Sequence, residues 1–104
     1  MASSKEYLDF ILEQLSDAED VSYRPMMGEY LLYRGGKLFG GIYDDRFLVK
    51  ITKSSSAMLP NAERALPYDG AKEMFLVDAL EDKAFLDRLT RAISDDLPTP
   101  KTRK

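Results

Sequence analysis

The sequence predicts an α+β fold, an antiparallel β-meander sheet of four to five strands with an N-terminal and a C-terminal helix packed on it. Three observations predict it. Residues 23–51 read as three strands folded back on one another, because tight-reversal signals, Arg34-Gly35-Gly36-Lys37 and Tyr43-Asp44-Asp45-Arg46, separate the apolar runs. Apolar residues recur at three- and four-residue spacing near both ends, which marks amphipathic helices. A chain of 104 residues that is 44% hydrophobic can bury one core and is too short for two ordinary domains. Residues 1–98 are therefore expected to form a single domain, and residues 99–104 a mobile basic tail with little to bury.

In chain order, Tyr7, Leu8, Ile11, Leu12, Leu15 and Ala18 give the stripe of a helix over about residues 4–17, with Ser3 and Glu6 as its capping box. Val21–Met26 follows as a strand. Pro25 removes a backbone donor there and places the strand at a sheet edge or a bulge, and Gly28 allows a sharp bend into the meander. Lys53–Met58 begins a short helix capped by Ser54 or Ser55, which Pro60 limits. Residues 59–70, with Pro60, Asn61, Pro67, Asp69 and Gly70, read as a loop holding at most one helical turn. Met74–Val77 reads as a further strand. Asp78 and Glu81 form a second capping box, and Leu80, Ala84, Phe85, Leu89, Ala92 and Ile93 mark a final helix ending near Asp95.

Two-residue loops fix the register of the meander on paper. Arg34 opposite Lys37 sets Tyr33 against Leu38 and Leu31 against Gly40; Tyr43 opposite Arg46 sets Ile42 against Phe47, Gly40 against Val49 and Leu38 against Ile51. One face then holds Leu31, Tyr33, Leu38, Ile42, Phe47, Val49 and Ile51, a core face. The other holds Tyr30, Leu32, Arg34, Lys37, Phe39, Tyr43, Arg46, Leu48 and Lys50. That second face is too apolar to be merely solvated, so Tyr30, Arg34, Lys37, Phe39, Tyr43, Arg46, Leu48 and Lys50 are the expected interaction face.

Residue types narrow the chemistry. The chain has neither histidine nor cysteine, which removes the commonest neutral-pH base and excludes Ser-His and Cys-His nucleophile pairs, thiolate ligation and disulfides. Asp44-Asp45 sits in a turn where adjacent carboxylates point apart, and Ser54-Ser55-Ser56 beside Lys53 suits a cap better than a nucleophile and base. Gly35-Gly36 and Gly40-Gly41 match no phosphate-loop spacing. They are read as a turn and as a place where a neighbour must approach the strand closely. No catalytic residue, metal or cofactor is expected.

Net charge is −3, unfavourable for wrapping nucleic acid over the whole surface. The charge is uneven: residues 1–23 carry one base against six acids, residues 24–53 six bases against three acids. A basic sheet interleaved with aromatics also fits base stacking, so nucleic acid or a small ligand is the alternative to a protein partner or homodimer. The sequence shows no secretory h-region and no apolar run long enough to span a bilayer, so a cytoplasmic protein without membrane contact is expected.

Arg24-Pro25-Met26-Met27-Gly28-Glu29-Tyr30, then Leu32-Tyr33, Gly36-Lys37-Leu38-Phe39 and Ile42-Tyr43-Asp44-Asp45-Arg46-Phe47-Leu48-Val49-Lys50, resemble the TfoX N-terminal domain family. The family runs Arg-x-Met-Phe-Gly-Gly-Tyr-Gly-Leu-Tyr, then Gly-Lys-Met-Phe, then a block like Tyr-Asp-Asp-Arg-Leu-Tyr-Leu-Lys. The resemblance spans about residues 4–96. Departures are Met27 for Phe, Glu29 for the second Gly and Leu31 for the third. The resemblance implies a non-enzymatic interaction domain, linked in bacterial members to transcriptional regulation of natural competence beside the cyclic-AMP receptor protein. It brings no catalytic residues to carry over. In those regulators a separate helical C-terminal domain follows, which this chain is not expected to contain.

Overall fold

Each of the three turns that fold residues 21–49 back and forth holds both central residues in the left-handed region: Met27 and Gly28 (φ 53° and 87°), Gly35 and Gly36 (60° and 81°), Asp44 and Asp45 (both 55°). Such turns match the twist of the strands they join. The computed structural model describes residues 3–78 and 80–98; the predicted tail, 99–104, lies outside the described residues. Its elements are α1 (Lys5–Gln14), β1 (Val21–Met26), β2 (Glu29–Arg34), β3 (Lys37–Ile42), β4 (Phe47–Val49), α2 (Lys53–Met58), β5 (Arg64–Ala65), β6 (Met74–Leu76) and α3 (Lys83–Asp96).

The strands form one antiparallel sheet of six in the order β1-β2-β3-β4-β6-β5, an α+β architecture with more strands than predicted. The addition is β5, a two-residue strand inside the predicted 59–70 loop, held to the sheet by pairing with β6. All three helices lie on one side. Leu8, Ile11 and Leu15 of the α1 segment and Leu86, Leu89 and Ile93 of α3 join Leu32, Phe39, Ile42, Phe47, Val49 and Phe75 of the sheet in one buried cluster. Each such side chain removed from water contributes roughly 1.5–3 kcal/mol.

The caps of the three helices differ from the predicted ones. Ser4, not Ser3, caps α1 by accepting from the Tyr7 N–H at 3.0 Å. Ser3 is engaged elsewhere: its hydroxyl donates to Glu29 Oε1 at 2.6 Å, its N–H donates to the Gly28 carbonyl, and its oxygen accepts from the Asp45 N–H. Glu29 Oε1 also accepts from the Asp44 N–H at 3.0 Å, so one carboxylate ties the chain start to two hairpin tips. Thr52 caps α2 in a reciprocal box with Ser55, and Asp82 caps α3 through the Phe85 N–H, so α3 begins later than the Asp78–Glu81 reading placed it.

The meander departs from the register written on paper at one point. Tyr33 faces Leu38 as expected, but Leu32 faces Gly40, Leu31 faces Gly41 and Tyr30 faces Ile42. Phe39 is the extra residue of a β-bulge. Because successive side chains alternate between faces, one inserted residue inverts the alternation for the rest of the strand. The second pairing, Gly40 with Val49 and Ile42 with Phe47, is as predicted.

Candidate functional site

The bulge divides the predicted interaction face. Tyr30, Arg34, Lys37 and Phe39 turn toward the helices, whereas Tyr43, Leu48 and Lys50 turn to the opposite side. Phe39 is fully buried and meets Phe47 edge-on, ring centroids 6.5 Å apart. Arg34 is buried against α3: Nη1 lies 2.8 Å from Asp87 Oδ1 and donates at 2.9 Å to the Asp87 carbonyl and the Thr90 hydroxyl. Burial disfavours a charged Asp87, but its hydrogen bond and ion pair with Arg34, aided by Arg91, hold its carboxyl below the usual range. Lys37 Nζ donates to the Ser94 carbonyl at 2.9 Å. These four residues hold the sheet and helices together and form no common surface with the other four.

The side opposite the helices has its own small cluster, Tyr43, Leu48 and Met74, with Leu31, Ala65 and Leu76 packed around it. The 66–73 loop between β5 and β6 folds over part of this side. Arg46 fastens it, donating from Nη2 to the Leu66 carbonyl at 3.1 Å while its Nε donates to the Tyr43 carbonyl at 3.1 Å. Tyr68 then stands beside Tyr43, centroids 6.2 Å apart and rings tilted by 56°. The close approach expected at Gly40-Gly41 is present: a Cβ on Gly41 would fall 2.6 Å from the Tyr30 carbonyl oxygen and 2.7 Å from the Tyr43 ring.

Between loop and sheet remains a cleft of about 480 Å³, lined by Leu38, Gly40, Tyr43, Lys50, Ile51 and residues 67–74 other than Asp69 and Gly70. Tyr43 is only 4% exposed; burial first, then the neighbouring Tyr68, Glu29 and Tyr33, push its phenol up to about 12. Tyr68 and Lys72 were not among the residues singled out in the sequence. Their one signal is an aromatic between Pro67 and Gly70 in a stretch otherwise legible as loop.

A second surface lies at the sheet margin. Met26 and Glu29 close a two-residue hairpin, so Ser22, Arg24 and Met26 direct their backbone groups to β2, and Val21, Tyr23 and Pro25 direct theirs to the free edge. Pro25 has no N–H to present there, in keeping with its predicted edge position. Ser22 through Pro25 are exposed, and Tyr23 packs edge-on against Tyr30 at 5.9 Å. At the tip, Met27 is 96% exposed while holding a left-handed backbone.

The remaining chemical candidates are occupied. Ser55 is fully buried, its hydroxyl donating to the Lys50 carbonyl at 2.9 Å and accepting from the Thr52 N–H. Asp96 accepts from the Ser54 N–H at 2.7 Å, which with the Thr52 and Ser54 hydroxyls holds its carboxyl below the usual range. Among the described residues no three of His, Cys, Asp and Glu converge to hold a metal, and no helix is long and apolar enough to cross a membrane.

Comparison with known proteins agrees with the motifs and the fold. The model of the TfoX N-terminal domain matches residues 13–93. An uncharacterized 12.7 kDa protein in the trpE 5′ region of Spirochaeta aurantia is 36% identical over 106 aligned positions, covering all of this chain and 91% of that protein. With most of its length matched by the family model, the chain belongs to the TfoX N-terminal domain family.

Proposed function

We propose that the chain is a non-enzymatic regulatory interaction domain, working in the cytoplasm in transcriptional control of the kind associated with competence, and that it grips a protein partner or a second copy with β1 and its Met27 tip. Met27 carries the reading. A left-handed conformation costs a residue with a Cβ about 1–2 kcal/mol, which glycine escapes and asparagine largely offsets, yet this position holds an apolar side chain turned fully to solvent. The adjoining strand offers unpaired backbone groups beside Tyr23, the arrangement that strand addition uses. Nucleic acid draws less support, because Arg34, Lys37 and Arg46 spend their donors on Asp87 and on backbone carbonyls.

Replacing Met27 by asparagine is expected to stabilise the fold by about 1 kcal/mol and to weaken partner binding about tenfold, the latter from the lost burial of one apolar side chain. Chemical denaturation checks the first result. For the second, a photo-crosslinking amino acid at position 27 is compared in cells with one at Asp69, on the far loop. Adducts at 27 with a transcription regulator, or with a second copy of the chain, are expected; adducts only at 69 contradict the assignment.

A further inference from the structure

We propose that the cleft between the 66–73 loop and the helix-free side of the sheet binds a small aromatic acid, a planar apolar ring system carrying one anionic group. Its volume of about 480 Å³ falls within the range of small-molecule pockets. Tyr43 and Tyr68 supply an aromatic wall, and Leu38, Ile51 and Met74 add apolar surface. Three charged side chains line the cleft. Glu73 is already engaged by Arg64 at 3.6 Å, which leaves Lys50 and Lys72 without an ion pair among the described residues and the cleft with an excess of positive charge.

The Tyr43 hydroxyl adds a neutral polar group to the two lysines. The residue is more than nine-tenths buried and lines the cleft, yet its hydroxyl is not among the sealed polar atoms that lack a partner, so it is a group that solvent can satisfy and that the anionic group of a ligand would take over as acceptor. Because burial and its neighbours raise its pKa to about 12, the phenol keeps its proton at neutral pH. The apolar groove between α1 and β1, lined by Leu12, Leu15, Ala18 and Val21 among others, has comparable volume but no cation to select an anion. This inference stands apart from the Met27 surface and does not depend on it.

The probe is anilinonaphthalene sulfonate, titrated by fluorescence against the whole chain. One saturable site is expected. Lys50→Gln combined with Lys72→Gln is expected to weaken it about tenfold, and Tyr43→Phe about fivefold, from two partly exposed ion contacts and one hydrogen bond respectively. None of these changes removes a contact on which folding depends, and an unchanged thermal transition confirms that each variant is folded. Displacement by naphthoate at about one-tenth the concentration needed with naphthamide confirms that the charge is read. Absence of a saturable site, affinity unchanged in the lysine pair, affinity unchanged in Tyr43→Phe, or equal displacement by acid and amide would each overturn the proposal.

Discussion

Arg34→Ala is expected to destabilise the domain by about 2–3 kcal/mol, because it removes the closer of the two cations on the partly exposed Asp87 carboxylate, leaving Arg91 at 3.4 Å, and also the hydrogen bonds to the Asp87 carbonyl and the Thr90 hydroxyl. Against a total stability of roughly 5–15 kcal/mol, that is enough to leave much of the chain unfolded under mild denaturant. The guanidinium is the polar link between β2 and α3, satisfying Asp87 through side chain and backbone and Thr90 through its hydroxyl. Removing both charges at once, Arg34→Met with Asp87→Leu, is expected to cost far less, since paired buried charges exchange against apolar groups of similar size with little net change. Urea unfolding of the two variants and the unsubstituted chain measures the difference.

The pair also sets an acid dependence. A carboxyl whose pKa is lower folded than unfolded contributes stability above its unfolded value, near 4, and loses it as pH falls through the lower folded value. The unsubstituted chain is therefore expected to lose stability as pH falls below about 4, and Arg34→Ala, already lacking the pair, to lose less over the same interval.

Gly40→Ala is expected to cost about 3 kcal/mol, at the upper end for overpacking by one methyl. An ideal Cβ there would fall 2.2 Å from the Leu48 carbonyl oxygen and 2.9 Å from Val49 Cα. Both are backbone atoms of the paired strand and cannot rotate away, so β3 and β4 must separate. Gly70→Ala supplies the contrast. Gly70 has a positive φ of 85° but open space around it, and the expected cost is only the backbone term of about 1–2 kcal/mol. Equal denaturation midpoints for the two variants would mean that crowding at Gly40 is not what fixes the strand pair.

Most of the architecture is legible because it follows from local signals. Apolar spacing marks the helices, Gly35-Gly36 and Asp44-Asp45 mark hairpin turns whose central residues take positive φ, and Pro25 marks the edge strand. What escapes is decided at long range. Ser3 satisfies every local criterion for a cap, but Glu29, distant in sequence, takes its hydroxyl. The bulge at Phe39 escapes because either register gives two plausible faces; with apolar side chains at Leu31, Leu32, Leu38 and Phe39, hydrophobicity cannot say which pair goes inward. The adjacent Gly40-Gly41 was the available hint, since bare backbone in a strand often marks a bulge or a close approach. That single residue decides the candidate site. It withdraws Tyr30, Arg34, Lys37 and Phe39 to the helix side and leaves Tyr43, Leu48 and Lys50 opposite, where a loop read only as a connection meets them with Tyr68 and Lys72.

The position of Phe39 relative to Phe47 is therefore the most direct test. In a nuclear Overhauser spectrum recorded on chain with labelled Phe and Tyr rings, cross-peaks are expected between Phe39 and Phe47 and between Tyr43 and Tyr68, whose centroids lie 6.5 and 6.2 Å apart. An unbulged strand, with Ile42 still opposite Phe47, would place the Phe39 and Phe47 rings on opposite faces of the sheet. Absence of the Phe39–Phe47 cross-peak in a spectrum that retains the Tyr43–Tyr68 cross-peak would therefore contradict the inverted alternation.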